Sequence, residues 1–417
     1  MDLSLSPPLY VMAKPAGAAC NLRCRYCYYL EKAHLTTSKP HNLTTSQPHT
    51  MSDELLRLFI QQYVEAQPQP NVLFTWHGGE PLLRPLAFYR RVVELQAPYL
   101  RQGYHIDNCL QTNGTLLDDE WCRFFAEQGW LVGISIDGTE AMHDAYRLSA
   151  GGQPTWRQVM HGIELLQQYG VEWNAMAVVH HQNADHPEEF YRFMRSIGCQ
   201  YLQFAPIVER SLAHPDGRHL ASPDEFTDTE GRPLSMTPES VTPQQWGAFL
   251  CRLFDEWVHH DVGEVFVELF DCTLANWCGI APGICTLAEE CSHGGVMEWN
   301  GDLYSCDHYV FPQYHLGNIR QHTLTEMLYS PRQEQFCRRK HETLPHQCQD
   351  CRWLHVCHGE CPKNRILRTT DGEPGLNYLC EGYRQFFAHV APYMDFMKAE
   401  LEAGRAPANV MNWCQSS

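Results

Sequence analysis

Nineteen cysteines in a 417-residue chain set the strongest limit on its fold, because they are unevenly spread. Three lie within Cys20–Cys27 and four within Cys348–Cys361. An odd number cannot pair completely, and a reducing compartment does not keep so many thiols as disulfides. Thiols that merely pack as small hydrophobes would be scattered rather than bunched. The spacing therefore points to metal ligation.

Other classes fall away on composition. Hydrophobic residues make up 44% of the chain, enough for a sizeable core. No apolar run approaches the roughly 18 residues that a membrane span needs. Met1–Gly17 lacks the basic start and long apolar run of a secretory signal, which predicts a cytoplasmic protein. A formal net charge of −18 repels phosphate backbones and anionic membranes, so neither nucleic acid nor a membrane surface is expected as a partner.

Through the first two thirds, strand-like and helix-like stretches alternate. Apolar, β-rich runs cover Leu9–Lys14, Asn71–His77, His105–Thr112, Leu131–Asp137, Glu172–His180 and Tyr201–Val208. Amphipathic patterns predict helices over Glu54–Glu65, Pro85–Leu100, Asp118–Gln128, Thr155–Tyr169 and Pro187–Ile197, and a later one over Gln244–His260. Thr50 and Asp53 read as a capping box for the first helix. Six strand–helix units imply an α/β fold with a parallel sheet, open or closed, whose working loops follow the carboxyl ends of the strands. Thr36–Thr50 reads as a solvated insert and Glu209–Thr242 as a long polar connection. From about Asp271 helical periodicity fades and Cys, Gly and Pro become dense, so that region is expected to be stapled rather than core-driven.

The motifs sit after the first, second and fourth strands. Cys20-Asn21-Leu22-Arg23-Cys24-Arg25-Tyr26-Cys27 can wrap one loop around a cubane and ligate three of its four irons, leaving the fourth open. Structural zinc would take four protein ligands, and no fourth stands nearby. His77-Gly78-Gly79-Glu80-Pro81 offers glycines that let a ligand approach the backbone and a carboxylate that can accept from an ammonium. Ser135-Ile136-Asp137-Gly138 ends the fourth strand, and Arg147 follows with a fork suited to a carboxylate. Farther on come Cys285, Cys291, Cys306, Cys348, Cys351, Cys357, Cys361 and Cys380, enough for two fully ligated 4Fe–4S clusters, with zinc ions as the alternative. Spacing does not say which thiol serves which cluster.

This combination resembles the radical S-adenosylmethionine (SAM) enzymes with a SPASM domain, and most closely the anaerobic sulfatase-maturating enzymes, from Lys14 to about Tyr383. The resemblance implies a partial (β/α)6 TIM-like barrel over residues 1–240, a connecting helix and strand over 241–270, a SPASM domain over 271–385 and a C-terminal helix and tail over 386–417. It implies SAM and three 4Fe–4S clusters as cofactors. Cys20, Cys24 and Cys27 would hold the SAM-binding cluster. Cys285, Cys291, Cys306 and Cys361 would hold one auxiliary cluster, and Cys348, Cys351, Cys357 and Cys380 the other. Glu80, with Gly79, would meet the SAM amino group; Ser135 and Arg147 its carboxylate and ribose; Tyr26 and Leu202 its adenine. Asp307, directly after Cys306, would be the base that takes the substrate proton.

The implied reaction is oxidation of a Cys or Ser in a sulfatase polypeptide to Cα-formylglycine without oxygen, with electrons from a donor such as flavodoxin or ferredoxin. Two other readings remain. One is a different SPASM peptide chemistry, thioether or crosslink formation; the other is a non-catalytic iron–sulfur or zinc electron-transfer protein. Of the remaining cysteines, Cys109 and Cys199 read as packing residues, and a ligand role for Cys272 or Cys278 stays open.

Overall fold

A computed structural model of the chain describes residues 8–30, 32, 49–214, 217–228 and 230–416. The expected insert Thr36–Thr50 lies outside them but for its last two residues. By contact density the chain forms two interleaved units. One comprises Met1–Ser135, Arg147–Trp173 and Ser292–Cys337; the other Ile136–Tyr146, Asn174–Cys291 and Arg338–Ser417.

In chain order, β1 (Tyr10–Ala13), α1 (Asp53–Glu65), β2 (Asn71–Trp76), α2 (Leu86–Arg101), β3 (His105–Thr112), α3 (Asp119–Gln128) and β4 (Leu131–Ser135) open the fold. They are followed by α4 (Glu140–Asp144), α5 (Trp156–Gln168), β5 (Trp173–Val179), α6 (Pro187–Ser196) and β6 (Tyr201–Pro206). This is the α/β partial barrel that the resemblance implied, each predicted strand and helix within a residue or two of its span; the short α4 was not expected.

In the first unit β1, β2, β3 and β4 pair in parallel, with Met12 opposite Thr75, Asn71 opposite His105 and Leu110 opposite Val132. β1 also pairs in parallel with β11 (Gly294–Met297), which continues antiparallel into β12 (Asp302–Tyr304) and β13 (His315–Asn318). Parallel strands are covered on both faces, so they read as apolar runs. α1 buries Leu55, Leu56, Phe59, Ile60, Tyr63 and Val64, the i, i+4 stripe that marked it in the sequence. Its ring of Phe59 packs edge-on to Phe74 and Trp76. Its cap is Ser52, whose side chain accepts from the Leu55 N–H, rather than the expected Thr50–Asp53 box. A cap must stand three residues before the N–H it satisfies, and Thr50 is two residues too early.

In the second unit β6 pairs in parallel with β5 and with β10 (Phe266–Val267). The polar connection is not bare loop: β7 (Arg210–His214), β8 (Gly217–Leu220) and β9 (Ser235–Met236) form a small antiparallel sheet. α7 (Pro243–His260) starts at Thr242 in a capping box with Gln245. α8 (Glu268–Trp277) and α13 (Cys380–Glu402) pack with it around Phe254, Phe270 and Phe386. Helix is thus not lost beyond Asp271. The intervening α9 (Leu324–Leu328), α10 (Pro331–Glu342), α11 (His346–Gln349) and α12 (Leu354–Cys357) are short or strongly polar and carry little apolar period. A last helix, α14 (Val410–Ser416), follows.

Candidate active site and cluster-binding residues

The cysteine loop after β1 is held by the loop after β2. Gly79 N–H donates to Gly17 O at 2.8 Å, and Glu80 N–H to Ala19 O at 2.8 Å. A Cβ on Gly79 would lie 2.1 Å from Ala19 O, so only glycine fits. The close approach that the sequence assigned to a ligand is, at this residue, an approach to the chain segment that carries Cys20.

Glu80 is fully buried. It accepts from Leu82 N–H at 2.9 Å, Thr112 Oγ1 at 2.7 Å and Asn113 N–H at 2.8 Å. Burial still outweighs these donors and pushes its carboxyl up to about 7. Thr112 and Asn113 end β3, the one early strand whose carboxyl end the sequence analysis left without a role. Asn113 Nδ2 also reaches toward Cys20 Sγ at 3.8 Å.

Cys20 Sγ accepts from Leu22 N–H at 3.3 Å, and burial raises its thiol to about 11. Cys27 is likewise raised by burial, with Arg147 and Lys14 acting against it. Such thiols must shed protons to bind iron, so loading is coupled to proton release. Arg147 is buried with its guanidinium 5.5 Å from the centre of the Tyr26 ring. Ser135 Oγ, at the end of β4, accepts from Gln111 Nε2 at 3.1 Å. In the second unit Leu202 is buried on β6 opposite Ala175 and Val267.

Asp307 opens a helical turn directly after Cys306. Lys14 Nζ donates to one of its carboxyl oxygens and Tyr28 OH to the other. Lys32 Nζ donates to its backbone carbonyl at 2.8 Å. Burial alone would raise this carboxyl, but Lys14, His77, Lys32 and His308 together hold it well below the usual carboxylate range. Burial and Lys14 lower the His77 imidazole to about 4, so its charge supports Asp307 only below that pH and Lys14 carries the effect above it. Lys14 also sits 3.2 Å from the centre of the Tyr29 ring, whose OH donates to buried Glu298. Lys14, Tyr28, Tyr29, His77 and Glu298 were not singled out as functional from the sequence. The signal available was position: Lys14 follows β1 and His77 follows β2.

In the second unit Cys348, Cys351, Cys357 and Cys380 line one cavity of about 350 Å³, walled by Trp353, Leu354, Tyr383 and Phe387. Their charges act on one another: Cys380 and Cys348 help raise Cys357, and Cys348 and Cys351 help raise Cys380. A pocket of this size with four thiols in its wall fits a cubane better than a single ion. Cys380 is the first residue of α13, which is seated by Gly382: a Cβ there would meet Pro243 O of α7 at 2.4 Å.

Lys340 Nζ donates to the backbone carbonyl of Cys285 at 2.5 Å, and burial raises the Cys285 and Cys291 thiols with the Lys340 charge acting against it. Cys357 and Cys361 are joined by His358, Gly359 and Glu360, all left-handed, with φ of 47°, 71° and 53°. Such backbone is costly for non-glycine residues and must be held. Arg365 holds it, donating to the carbonyls of His358 at 3.0 Å, Gly359 at 2.9 Å and Glu360 at 3.2 Å. Cys306 belongs to the other unit. Of the cysteines left open, Cys272 is buried on α8 with its thiol against the backbone of Gly283 and Ile284, and Cys278 ends that helix. All nineteen cysteines are free of disulfides.

Residues 15–194 match the model of the radical SAM superfamily, and residues 291–352 that of SPASM, an iron–sulfur cluster-binding domain. A serine-type anaerobic sulfatase-maturating enzyme of Bacteroides thetaiotaomicron is 59% identical over 97% of this chain and 94% of its own length. A cysteine-type enzyme of Clostridium perfringens is 30% identical over 93% of this chain and 97% of its own. The solved structure of native anSMEcpe with bound AdoMet and Cp18Cys peptide superposes with a TM-score of 0.80 at 29% identity, covering 95% of this chain and all of that one. No helix among the described residues is long and apolar enough to cross a membrane.

Proposed function

The chain belongs to the anaerobic sulfatase-maturating enzymes, and from that membership we propose that it oxidises an active-site Ser or Cys of a sulfatase polypeptide to Cα-formylglycine without oxygen. Serine is the favoured residue, because serine-type relatives match at 59% and 35% identity and a cysteine-type relative at 30%. SAM with a 4Fe–4S cluster, when bound, supplies a 5′-deoxyadenosyl radical able to remove a β-hydrogen, and the SPASM domain binds the additional clusters. We assign Cys20, Cys24 and Cys27 to the SAM-binding cluster. Cys285, Cys291, Cys306 and Cys361 are assigned to one auxiliary cluster and Cys348, Cys351, Cys357 and Cys380 to the other. A carrier such as flavodoxin or ferredoxin is the proposed electron source, and a cytoplasmic site accords with the free cysteines.

One observation carries the proposed roles. Asp307 is a half-buried carboxylate held well below the usual carboxylate range beside Lys14, and it is adjacent in sequence to an assigned cluster ligand. Lys14 makes it a weak base, which would be too weak for an ordinary alcohol. Loss of the β-hydrogen leaves a carbon radical whose O–H or S–H is far more acidic than in the parent residue, and as Asp307 takes that proton the remaining electron would leave to an auxiliary cluster, when bound. Asp307 then needs only to be ionised and in place, and Lys14 and Tyr28 keep it so. Glu80 would orient the SAM ammonium and Arg147 its carboxylate, while Tyr26 offers a flat face for adenine. Gly79 would act by fixing the Cys20 loop.

Anaerobic incubation with SAM, reductant and a sulfatase-derived peptide tests this. A serine peptide should lose two hydrogens, and a cysteine peptide should in addition exchange sulfur for oxygen. Asp307→Asn should still form 5′-deoxyadenosine but little aldehyde; normal aldehyde yield would remove Asp307 as the base.

A further inference from the structure

Lys340, in the last turn of α10, is fully buried. All three of its N–H donors are spent on carbonyls of one segment: Cys285 O at 2.5 Å, Thr286 O at 2.9 Å and Ala288 O. Arg365 Nη1 closes the arrangement by donating to the Lys340 carbonyl at 2.6 Å. Carbonyls satisfy hydrogen bonds but do not cancel a charge, and a buried ammonium without a counter-charge is strongly disfavoured. The anionic groups around it are the thiols Cys291, Cys285 and Cys361, together with Glu360. Glu360 has its own donors, Asn364 Nδ2 at 3.0 Å and Asn377 Nδ2 at 2.6 Å. The three carbonyls belong to the segment that begins at Cys285, so the ammonium stands beside the centre that this segment would hold.

We propose that Lys340 is the positioning and charge-setting residue of the auxiliary centre assigned to Cys285, Cys291 and Cys361, shaping its ligand loop and raising its reduction potential. The proposal rests on the ligand assignment made above. The sign follows from charge. A 4Fe–4S core with four thiolates is anionic and becomes more so on reduction, so a buried cation beside it favours the reduced form. The centre assigned to Cys348, Cys351, Cys357 and Cys380 does not share Lys340 in this way. The other centre has a buried cation of its own, Arg365, which acts on Cys348 and Cys357, so removing Lys340 should shift one step and leave the other in place.

The test is a redox titration of the anaerobically reconstituted full chain, followed by electron paramagnetic resonance with iron and sulfide counting. Lys340→Gln keeps hydrogen-bond donors and removes the charge; Lys340→Arg keeps the charge; Cys291→Ala marks which step belongs to this centre. Lys340→Gln should lower one midpoint so that the reduced-to-oxidised ratio at the original midpoint falls about tenfold, about 59 mV for one electron. Lys340→Arg should titrate like the parent, and the shifted step should be the one missing from Cys291→Ala. Loss of about four irons from Lys340→Gln but not from Lys340→Arg supports the same charge requirement. Unchanged midpoints in an iron-replete Lys340→Gln protein, equal shifts or iron losses in both variants, or a shift in a step that survives Cys291→Ala would each overturn the proposal alone. A parent chain that loads only about four irons would overturn the assignment and the proposal together.

Discussion

Lys14 and Asp307 are 293 residues apart in the chain, yet the Lys14 ammonium donates directly to the Asp307 carboxylate and keeps almost no exposure of its own. Removing one partner of such a pair leaves a buried charge alone, at about 3–5 kcal/mol. Lys14→Met should therefore lower thermal stability and let the Asp307 carboxyl rise. In turnover, 5′-deoxyadenosine should continue to form while aldehyde per deoxyadenosine falls by an order of magnitude or more. Parallel quantification of the two products checks this; a constant ratio would mean that Lys14 does not support Asp307.

Glu80 predicts the pH dependence of cofactor binding. Burial raises its carboxyl from the ordinary 4.5 to about 7, so the unliganded fold favours the neutral form. Its contribution to stability is full below 4.5 and is lost as pH rises through about 7. A cationic amine needs the ionised form, so SAM affinity should rise about tenfold per unit of pH below 7 and flatten above it. Titration calorimetry of the cluster-loaded protein measures this. Glu80→Gln should bind weakly with no such slope.

Gly79→Ala drives a methyl group into the Ala18–Ala19 backbone, an overpacking worth about 1–3 kcal/mol. The cost falls on the Cys20 loop. About one third of the iron should be lost, with SAM cleavage, while the remaining two thirds stays bound. Iron analysis with a SAM cleavage assay reads both; full iron and normal cleavage would refute the pinning role.

Cys272 and Cys380 give a contrasting pair. Cys380 lines the thiol pocket and Cys272 faces backbone. Cys380→Ala should lose about four irons per chain, and Cys272→Ala none. Equal losses would return Cys272 to the candidate ligands.

The six strands and their helices were legible because each buries a continuous apolar run or stripe, as Phe74, Trp76, Phe59 and Tyr63 do. The cap of α1 was misplaced because Thr50, Ser52 and Asp53 are all cap formers and only geometry chooses among them. Helices α9, α11 and α12 were missed because one or two turns, as in Leu354–Cys357, are too short for a period to show, and α10 because it is too polar to mark an apolar stripe. The cysteine ligands and Glu80 stood out through spacing in local motifs. Lys14, Tyr28, Tyr29 and Glu298 did not, since what unites them is a meeting of β1, the cysteine loop and the turn after β11. The cations Lys340 and Arg365 were invisible for the same reason.

The left-handed turn between Cys357 and Cys361 ties together thiols assigned to different metal centres. Its shape is fixed by one guanidinium, so neither thiol can swing away without dragging the other. The turn should thus place the two thiols together as the chain folds, and a change in the turn itself should disturb both centres. Arg365 is therefore the side chain whose loss should reach both centres, where loss of a single ligand thiol reaches one.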